Sequence, residues 1–481
     1  MERDVTVIGG GLAGVSAAVV LAERGLSVSL VERERFLGGR AGAWTETLAD
    51  GASFEMERGF HAFFRHYHNV RALIRRVDPS LSILTPLDDY PLLGPGGAKE
   101  SFSGLPKTTP LNILELVRRS PTIRFWDLRH ADLKVARSLL AFDPIDTYAR
   151  LDTTTAKDFL DGLRFPPKAR QMLFDVFAHS FFNPDDDYSA AELCAMFHYY
   201  FTRNPEGLVF DVMNEPFSVG LFRPLQQLLE RRGVEVLLGA TAERVEREGD
   251  AYLTRFTGGE GSSERRARSV VLALTVPALK GLVGASPALA SLAPALASLD
   301  VTWPFVVWRL YLDRPCRADR APFAGTTGLG MLDNVSLYER FEGESRRWAA
   351  KTGGSVVELH AYAVPPDCTE EAVRRDLLAA LHEVYPETVG AGVIDERLLW
   401  RADCPAFRPG SHAGRPGIAT ALPDVLLAGD FVKLPFPSAL MERAVSSGFL
   451  AANEILARRG LPPEPVRHGP LKGLLPASLA R

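Results

Sequence analysis

The spacing of apolar residues changes repeatedly along this chain, and each change marks an element. Asp4–Ile8 and Leu26–Val31 carry β-branched and aliphatic residues in close succession, the pattern of short strands buried on both faces. Between them, Val15–Arg24 has the small apolar composition of a helix packed closely on a sheet. Ala43–Glu57 reads as a hairpin. Val70, Leu73, Ile74 and Val77 recur at helical spacing within Tyr67–Val77, and Asp78-Pro79 ends that helix. Leu92–Pro110, rich in Gly, Pro, Ser and Thr, is a hairpin or loop excursion. Two helices are predicted over Asp152–Phe165, capped at Asp152, and over Pro167–Phe182. Ser189–Phe201 is another, with Ser189 and Glu192 at the S-x-x-E spacing of a capping box. Leu221–Gly233 is a helix closed by glycine, Val234–Val245 two short strands, and Ser269–Thr275 a buried strand leading to Pro277. Phe305 and Val307 alternate with Val306 and Trp308, which predicts a strand within Val301–Leu312. Ser355–Ala363 is a further strand and Glu370–Tyr385 a helix. Pro423–Asp430 is a buried strand, followed by a small-residue helix from Ala439 to Leu456, and the tail after Gly460 covers the surface. Strands and helices alternate through the chain, so the fold class is α/β.

The first strand and helix are joined by Gly9-Gly-Gly11-Leu12-Ala13-Gly14, a G-x-G-x-x-G turn, and the second strand ends in Glu32. Each part has a physical task. Gly9 permits the tight turn, Gly11 lets backbone N–H groups approach a pyrophosphate, and Gly14 lets helix and strand touch. The helix N-terminus offers partial positive charge to the phosphates, and Glu32 is placed to accept hydrogen bonds from a ribose diol. Taken together these parts predict a dinucleotide site.

Composition narrows the class of protein. With 481 residues the chain is too long for one small core, which predicts two intertwined domains. A formal net charge of −4 argues against nucleic acid as the main partner. Cys194, Cys316, Cys368 and Cys404 lie far apart without a C-x-x-C pair, so neither a zinc site nor a redox dithiol is expected, and a reducing cytoplasm suits them. Charged residues follow Met1 at once, leaving no room for a signal peptide, and the apolar stretch Val270–Leu299 is broken by Pro277, Lys280, Pro287 and Pro294. Leu111–Phe142 interleaves aliphatic and aromatic residues, Trp126 among them, with Arg118, Arg119, Arg124, Arg129, Lys134 and Arg137. That pattern suits either a helix lying on an anionic membrane surface or an ordinary solvated surface helix.

After Glu32 the chain continues Arg33-Glu-Arg-Phe-Leu-Gly38-Gly39-Arg40. This resembles the extension shared by the flavoprotein amine oxidase and phytoene desaturase superfamily, in which the second glycine loop and its arginine bind the pyrophosphate of FAD. The resemblance therefore implies FAD rather than NAD. It implies a Rossmann-type FAD-binding domain, interleaved with a mixed-sheet and helical substrate domain. Residues 1–90, 216–280 and 396–462 would form the first, 91–215 and 281–395 the second, and 463–481 a tail. It also implies that the segment Gly59-Phe60-His61 passes the flavin ring, with His61 either beside it or a structural histidine. Ala242 would meet the adenine through its backbone, Gly429-Asp430 would hold the ribityl and phosphate region, and the helix opened by Ala439-Leu440-Met441 would aim its N-terminus at the flavin.

Five further segments are similar to bacterial carotenoid β-ring desaturase/methyltransferases of the isorenieratene synthase type: Arg58 to Arg65, Asp78-Pro79, Leu84 to Pro91, Glu206 to Asp211, and Ala439 to Ala444. That resemblance implies an oxidoreductase that aromatises the β-ionone ring of a carotenoid with migration of a methyl group. His61 and Glu442 would lie near the reacting ring, although Glu442 equally suits a cap on its own helix. His179, His198, Asp211 and Glu215 read as structural, and the phenylalanines and tyrosines from Phe174 to Phe201 as core or as the wall of an apolar tunnel. A bilayer-dissolved substrate favours membrane docking through Leu111–Phe142 at the inner face of the cell membrane, with a quinone or O2 as electron acceptor. A carotene desaturase or isomerase without methyl migration, a flavin amine oxidase of a soluble amine, and a non-catalytic FAD carrier are the alternatives.

Overall fold

The computed structural model describes residues 2–87, 89–106, 111–120, 126, 129, 132–171, 179–202, 209–258 and 261–480. Its first sheet grows from the opening strand. β1 (Arg3–Ile8) lies between β2 (Val28–Val31) and the end of β13 (Gly261–Leu272), all parallel, with β10 (Glu235–Leu237) beyond β2. β19 (Val425–Leu427) pairs in parallel with the same end of β13. The other half of β13 continues into an antiparallel meander with β12 (Ala251–Gly258) and β11 (Thr241–Glu248), so the predicted pair of short strands separates, β10 joining the parallel part and β11 the meander. Helix α1 (Leu12–Glu23) is buried from Leu12 through Ala22, covered on one side by the sheet and on the other by the Leu440–Arg458 helix. The backbones of those helices touch at Gly448, where a Cβ would lie 2.2 Å from the Ala13 carbonyl oxygen.

A second, mixed sheet has the order β18-β14-β17-β16-β15-β7-β8, formed by Val393–Arg401, Phe305–Leu312, Ser355–Ala361, Asn334–Leu337, Phe323–Thr326, Leu92–Gly94 and Ala98–Glu100. Period-two alternation sorts its side chains. Val306, Trp308 and Leu310 of β14 and Val357, Leu359 and Ala361 of β17 face the Glu370–Val384 helix, whose Val373, Leu377 and Leu381 complete that core. The opposite face looks toward the first sheet. Because β18 belongs here, residues 396–401 sit with the second sheet. The segment 281–296 instead packs on the first, through Leu282, Leu289, Leu292 and Leu296. A hairpin, β3 (Ala43–Thr47) with β4 (Ser53–Glu57), and a small sheet of β5 (Phe63–Phe64), β9 (Phe210–Met213) and β6 (Leu84–Pro86) lie between the two large sheets in sequence and carry the chain past the site.

Several local expectations change. The helix expected from Asp152 splits into Asp146–Leu151 and Ala156–Gly162, and Thr155 caps the second. Asp152 accepts instead from the Ser189 hydroxyl and the His412 N–H. Much of the Pro167–Phe182 helix, together with Phe174 and Phe177, lies outside the described residues, as do Glu206-Gly-Leu208 and Arg124. The stretch after Gly460 is not a loose cover. Asn69 and Arg467 exchange two hydrogen bonds, the Pro470 carbonyl meets the His198 ring at 2.8 Å, and Gly473 N–H donates to the Phe142 carbonyl at 2.7 Å. It straps α2 (His68–Ile74) to the residues that follow α4 (Leu133–Leu140).

Candidate functional site

A cavity of about 940 Å³ runs between the two sheets, from the C-terminal ends of β1 and β2 to an aromatic chamber. At its first end two glycine loops touch: Gly38 N–H donates to the Gly10 carbonyl at 2.8 Å, and Gly11 and Gly38 form an isolated bridge. A Cβ at Gly14 would overlap the Gly9 carbonyl oxygen, so that glycine serves helix–turn packing and does not line the cavity. Gly11 differs. Its φ of −72° is ordinary, and a Cβ there would meet nothing closer than 3.9 Å, yet it lines the cavity. Only a molecule lying in the cavity would need its side chain absent, and the N-terminus of α1 has no side-chain cap. These features fit a pyrophosphate.

Glu32, at the end of β2, is buried and accepts from the Gly10 N–H at 2.6 Å and the Glu34 N–H at 2.8 Å. Burial pushes its carboxyl above the usual range against those two bonds. Arg33 and Ala242 line the same end, and the ladder between β11 and β12 shifts register after Ala242, freeing backbone toward the cavity. Arg40 reaches across to Asp430 at 2.5 Å, tying the second glycine loop to the end of β19. Gly9, Leu12, Ala13, Gly38, Gly39, Gly429, Asp430, Ala439, Leu440 and Met441 line the cavity as well. The Leu440–Arg458 helix begins with no side-chain cap, and Leu440 has φ +46°, a strained conformation for a side-chain-bearing residue held at the cavity wall. Two uncapped helix N-termini thus point into one cavity. Phe60 and His61 line it too, but Gly59 does not. Gly59 (φ +104°) is backed against the second sheet, where a Cβ would lie 2.7 Å from the His360 ring.

Of the two residues expected beside the reacting ring, His61 lines the cavity and Glu442 does not. Its Nδ1–H donates to the Gly59 carbonyl at 2.7 Å, and its ring stands edge-on to Phe217. Burial lowers the imidazole to about 4, so it is neutral at physiological pH. Glu442 points away. Its carboxylate accepts from the N–H groups of Asn69 (2.8 Å) and Val70 (2.9 Å) and from the Asn69 side chain, so it caps α2 from a neighbouring helix. The physical reason is periodicity: Met441 and Ala444 take the cavity face of the Leu440–Arg458 helix, which turns Glu442 to the other side. Burial pushes Glu442 up to about 7. Arg443 does reach the cavity and pairs with Glu192 at 2.6 Å.

The chamber beyond is aromatic. Phe60 stacks on Phe323 at 4.4 Å and stands edge-on to Phe210, and Phe64 meets Tyr200, whose hydroxyl bonds that of Tyr67 at 2.5 Å. Sequence reasoning missed one polar group in this wall. Glu358, His360 and Tyr362 alternate along and just past β17, and His360, Tyr362 and Asn334 line the cavity. The signal was present as three polar residues at period two in a segment that is otherwise apolar after Ser355. Asp211 pairs with Arg71 and Arg65, Glu215 with Arg347, and His198 with Thr202, which are structural contacts; His179 meets Asp333, a cavity residue, at 3.1 Å. Among the described residues no cluster of metal-ligating side chains occurs, and no helix is long and apolar enough to cross a membrane.

Over residues 12–456 the chain matches the family of flavin containing amine oxidoreductases. It is 48% identical over 459 residues to the carotenoid phi-ring synthase of Streptomyces griseus, covering 95% of this chain and 88% of that protein. The protein of the same name from Chlorobaculum tepidum is 28% identical over 591 residues, covering 98% of this chain and 91% of that one. Among solved structures, a redesigned double mutant of putrescine oxidase superposes with a TM-score of 0.68 at 16% identity, covering 95% of this chain and 100% of that one. Cyclohexylamine oxidase from Brevibacterium oxydans gives 0.66 at 17% identity, covering 96% and 100%. These two show the shared fold.

Proposed function

This chain belongs to the flavin-containing amine oxidoreductase family and uses FAD as an oxidoreductase, and from that premise we propose that it aromatises the β-ionone ring of a carotenoid such as β- or γ-carotene. The observation that carries the reading is the continuity of the dinucleotide cradle with an aromatic chamber, in a chain nearly half identical to a carotenoid phi-ring synthase. Gly11, Gly38, Gly39 and Arg40 would hold the pyrophosphate, Glu32 the ribose, Ala242 the adenine and Gly429-Asp430 the ribityl chain. The uncapped N–H groups of Leu440 and Met441 would face the carbonyl edge of the flavin ring. Bound FAD supplies a two-electron, hydride-accepting oxidant.

A β-ionone ring carries two methyl groups on one carbon, so it cannot become aromatic by dehydrogenation alone. One methyl migrates to the adjacent carbon while the ring is cationic, and two hydride equivalents and two protons leave. Phe60, Phe64, Phe210 and Phe323 line the chamber, and the quadrupoles of aromatic rings beside such a cation would favour its positive charge without offering it a nucleophile. His61, neutral and tethered to Gly59, orients rather than charges the chamber. Expression in a β-carotene-producing host is the test. A new pigment with shifted absorption and the mass loss of ring aromatisation is expected; an unchanged β-carotene pool defeats the reading, and a desaturated pigment without an arene defeats the methyl migration.

We further propose that the protein docks on the inner face of the cell membrane, from which substrate and a quinone acceptor are reached; O2 is the alternative acceptor. On helix α3 (Leu111–Arg119), Leu111 and Leu114 are 54% and 57% exposed, and Trp126 beyond it is 74% exposed. Arg118 and Arg119 both bond Glu115, so they contribute less net charge than their number suggests, and the apolar side chains would anchor the contact. Replacing Leu111, Leu114 and Trp126 by serine is expected to reduce co-sedimentation with anionic liposomes about tenfold or more, from the apolar area lost. Unchanged binding would place the docking surface elsewhere.

A further inference from the structure

We propose that Tyr362 and His360, oriented by Glu358, form the acid–base unit that takes the proton from the reacting ring; this assignment rests on the carotenoid-ring reading above. The unit comes from strand geometry. Val357, Leu359 and Ala361 fill the core beneath the Glu370–Val384 helix, so Glu358, His360 and Tyr362 share the other face. Neighbouring strands supply partners in register, with Arg309 of β14 opposite Glu358 and Asn334 of β16 opposite His360. The buried Glu358 and His360 cost folding free energy unless each is satisfied, and with the partly buried Tyr362 they form a directed chain.

The Asn334 amide donates to the Tyr362 hydroxyl at 2.9 Å, which leaves that hydroxyl to donate its own proton to His360 Nδ1 at 2.7 Å. His360 Nε2–H then donates to Glu358 at 2.8 Å. Glu358 is fixed by Arg309 at 2.8 Å, by the Tyr338 hydroxyl at 3.0 Å and by the Phe60 N–H at 2.9 Å. Burial opposes its charge, but Arg309 and His360 hold its carboxyl down to about 2. Burial and the neighbouring Asp333 carboxylate both push the Tyr362 phenol far up, so a free phenolate is excluded and the hydroxyl works as a relay. Other titratable and charged groups around the pair include neutral His61 and Arg58 across Gly59, Glu57 beyond Arg309, and Asp333, which accepts from the Tyr362 N–H at 2.6 Å. Phe182 stands edge-on to the Tyr362 ring at 4.6 Å.

The step balances. As a ring C–H bond of the cation breaks, its electron pair closes a ring double bond. The proton goes to the Tyr362 oxygen, whose own proton passes to His360 Nδ1. A substrate cation becomes neutral while the imidazole becomes imidazolium against the Glu358 carboxylate. The arrangement has the logic of a nucleophile–histidine–carboxylate triad with a relay hydroxyl in the first place.

The test uses flavin-loaded protein with the carotenoid in detergent micelles, comparing wild type, Tyr362→Phe and His360→Gln. Both variants are expected to retain flavin and to lose about a hundredfold in arene formed per unit time. Unchanged arene formation in both would overturn the assignment. Should the variants not fold, 15N spectra of the wild-type imidazoles decide: the His360 proton that faces Glu358 is expected on Nε2, and a proton on Nδ1 alone defeats the relay. A wild type inert toward the carotenoid but with the expected tautomer would sink the substrate reading and not the pair.

Discussion

Replacing Glu192 by leucine is expected to destabilise the protein by about 3–5 kcal/mol, the cost of breaking a buried ion pair from one side. Glu192 is 2% exposed, and its two oxygens hold Arg443 at 2.6 Å, Arg415 at 3.2 Å and the Tyr148 hydroxyl at 2.5 Å. Both guanidinium groups lie 5.0 Å from the Phe407 ring centroid, one from each arginine. Without the carboxylate, two buried cations are left near one phenyl ring with no shared counter-charge. Arg443 also donates to the Ser438 and Asp430 carbonyls, so the loop that closes the cavity loosens with it and flavin content falls too. Denaturant midpoints and the flavin-to-protein absorbance ratio measure both effects. A midpoint within about 0.5 kcal/mol of wild type, the range of an ordinary surface substitution, would show that the cluster contributes nothing.

Raising the pH from 6.5 to 8.5 is expected to lower stability by about 2 kcal/mol. Burial pushes Glu57 up to about 8 and Glu442 up to about 7 in the folded chain, against ordinary carboxyl values when unfolded. Above an ordinary carboxyl value the unfolded chain has released these protons while the folded chain keeps them. The folded state is therefore favoured at pH 6.5, and the advantage is lost as pH rises through 7 and 8. His61, lowered to about 4, works the other way: its penalty grows only as pH falls below the ordinary histidine value, so a little stability is regained in the first half unit. Glu192 and Glu358, both held down by arginines, matter only in acid, where their protonation removes stability. Denaturant titration at the two pH values checks the slope. Glu57→Gln, which keeps an acceptor for the Phe217 N–H, is expected to remove more than half of it; an unaltered slope would assign the effect to other groups.

How far the chain could be read in advance depended on the range of each interaction. The elements set by local periodicity are found close to where the pattern puts them: β1, α1, β2, the β3–β4 hairpin, β14, β17 and the Glu370–Val384 helix. The glycine loops were legible because a close backbone approach dictates the residue at one position. Glu192 shows the limit. Its spacing from Ser189 matches a capping box, and Ser189 does accept from the Glu192 N–H at 3.5 Å. The carboxylate, however, goes to arginines 223 and 251 positions away, and the Ser189 N–H donates to Phe407 instead. Glu442 fails in the same way, since its partners sit on a helix 372 and 373 positions earlier. Strands β15, β16 and β18 were not foreseen because their sequences mix Gly, Asn and charged residues, and neighbours rather than propensity hold them in the sheet. The Glu358–His360–Tyr362 alternation was readable, but only as a breach of an apolar pattern.

The packing of α1 on the Leu440–Arg458 helix has a consequence in time. The Ser16 hydroxyl lies 3.3 Å from the Val445 carbonyl oxygen, across 429 positions of chain. At a synthesis rate of about 5–20 residues per second, a ribosome makes the first glycine loop roughly 20–90 seconds before the helix that completes it. Throughout that interval α1 carries one apolar face with no partner, and no closed cradle exists for a cofactor to enter. Flavin loading is therefore a late event in the life of the nascent chain, after the Leu440–Arg458 helix has been made.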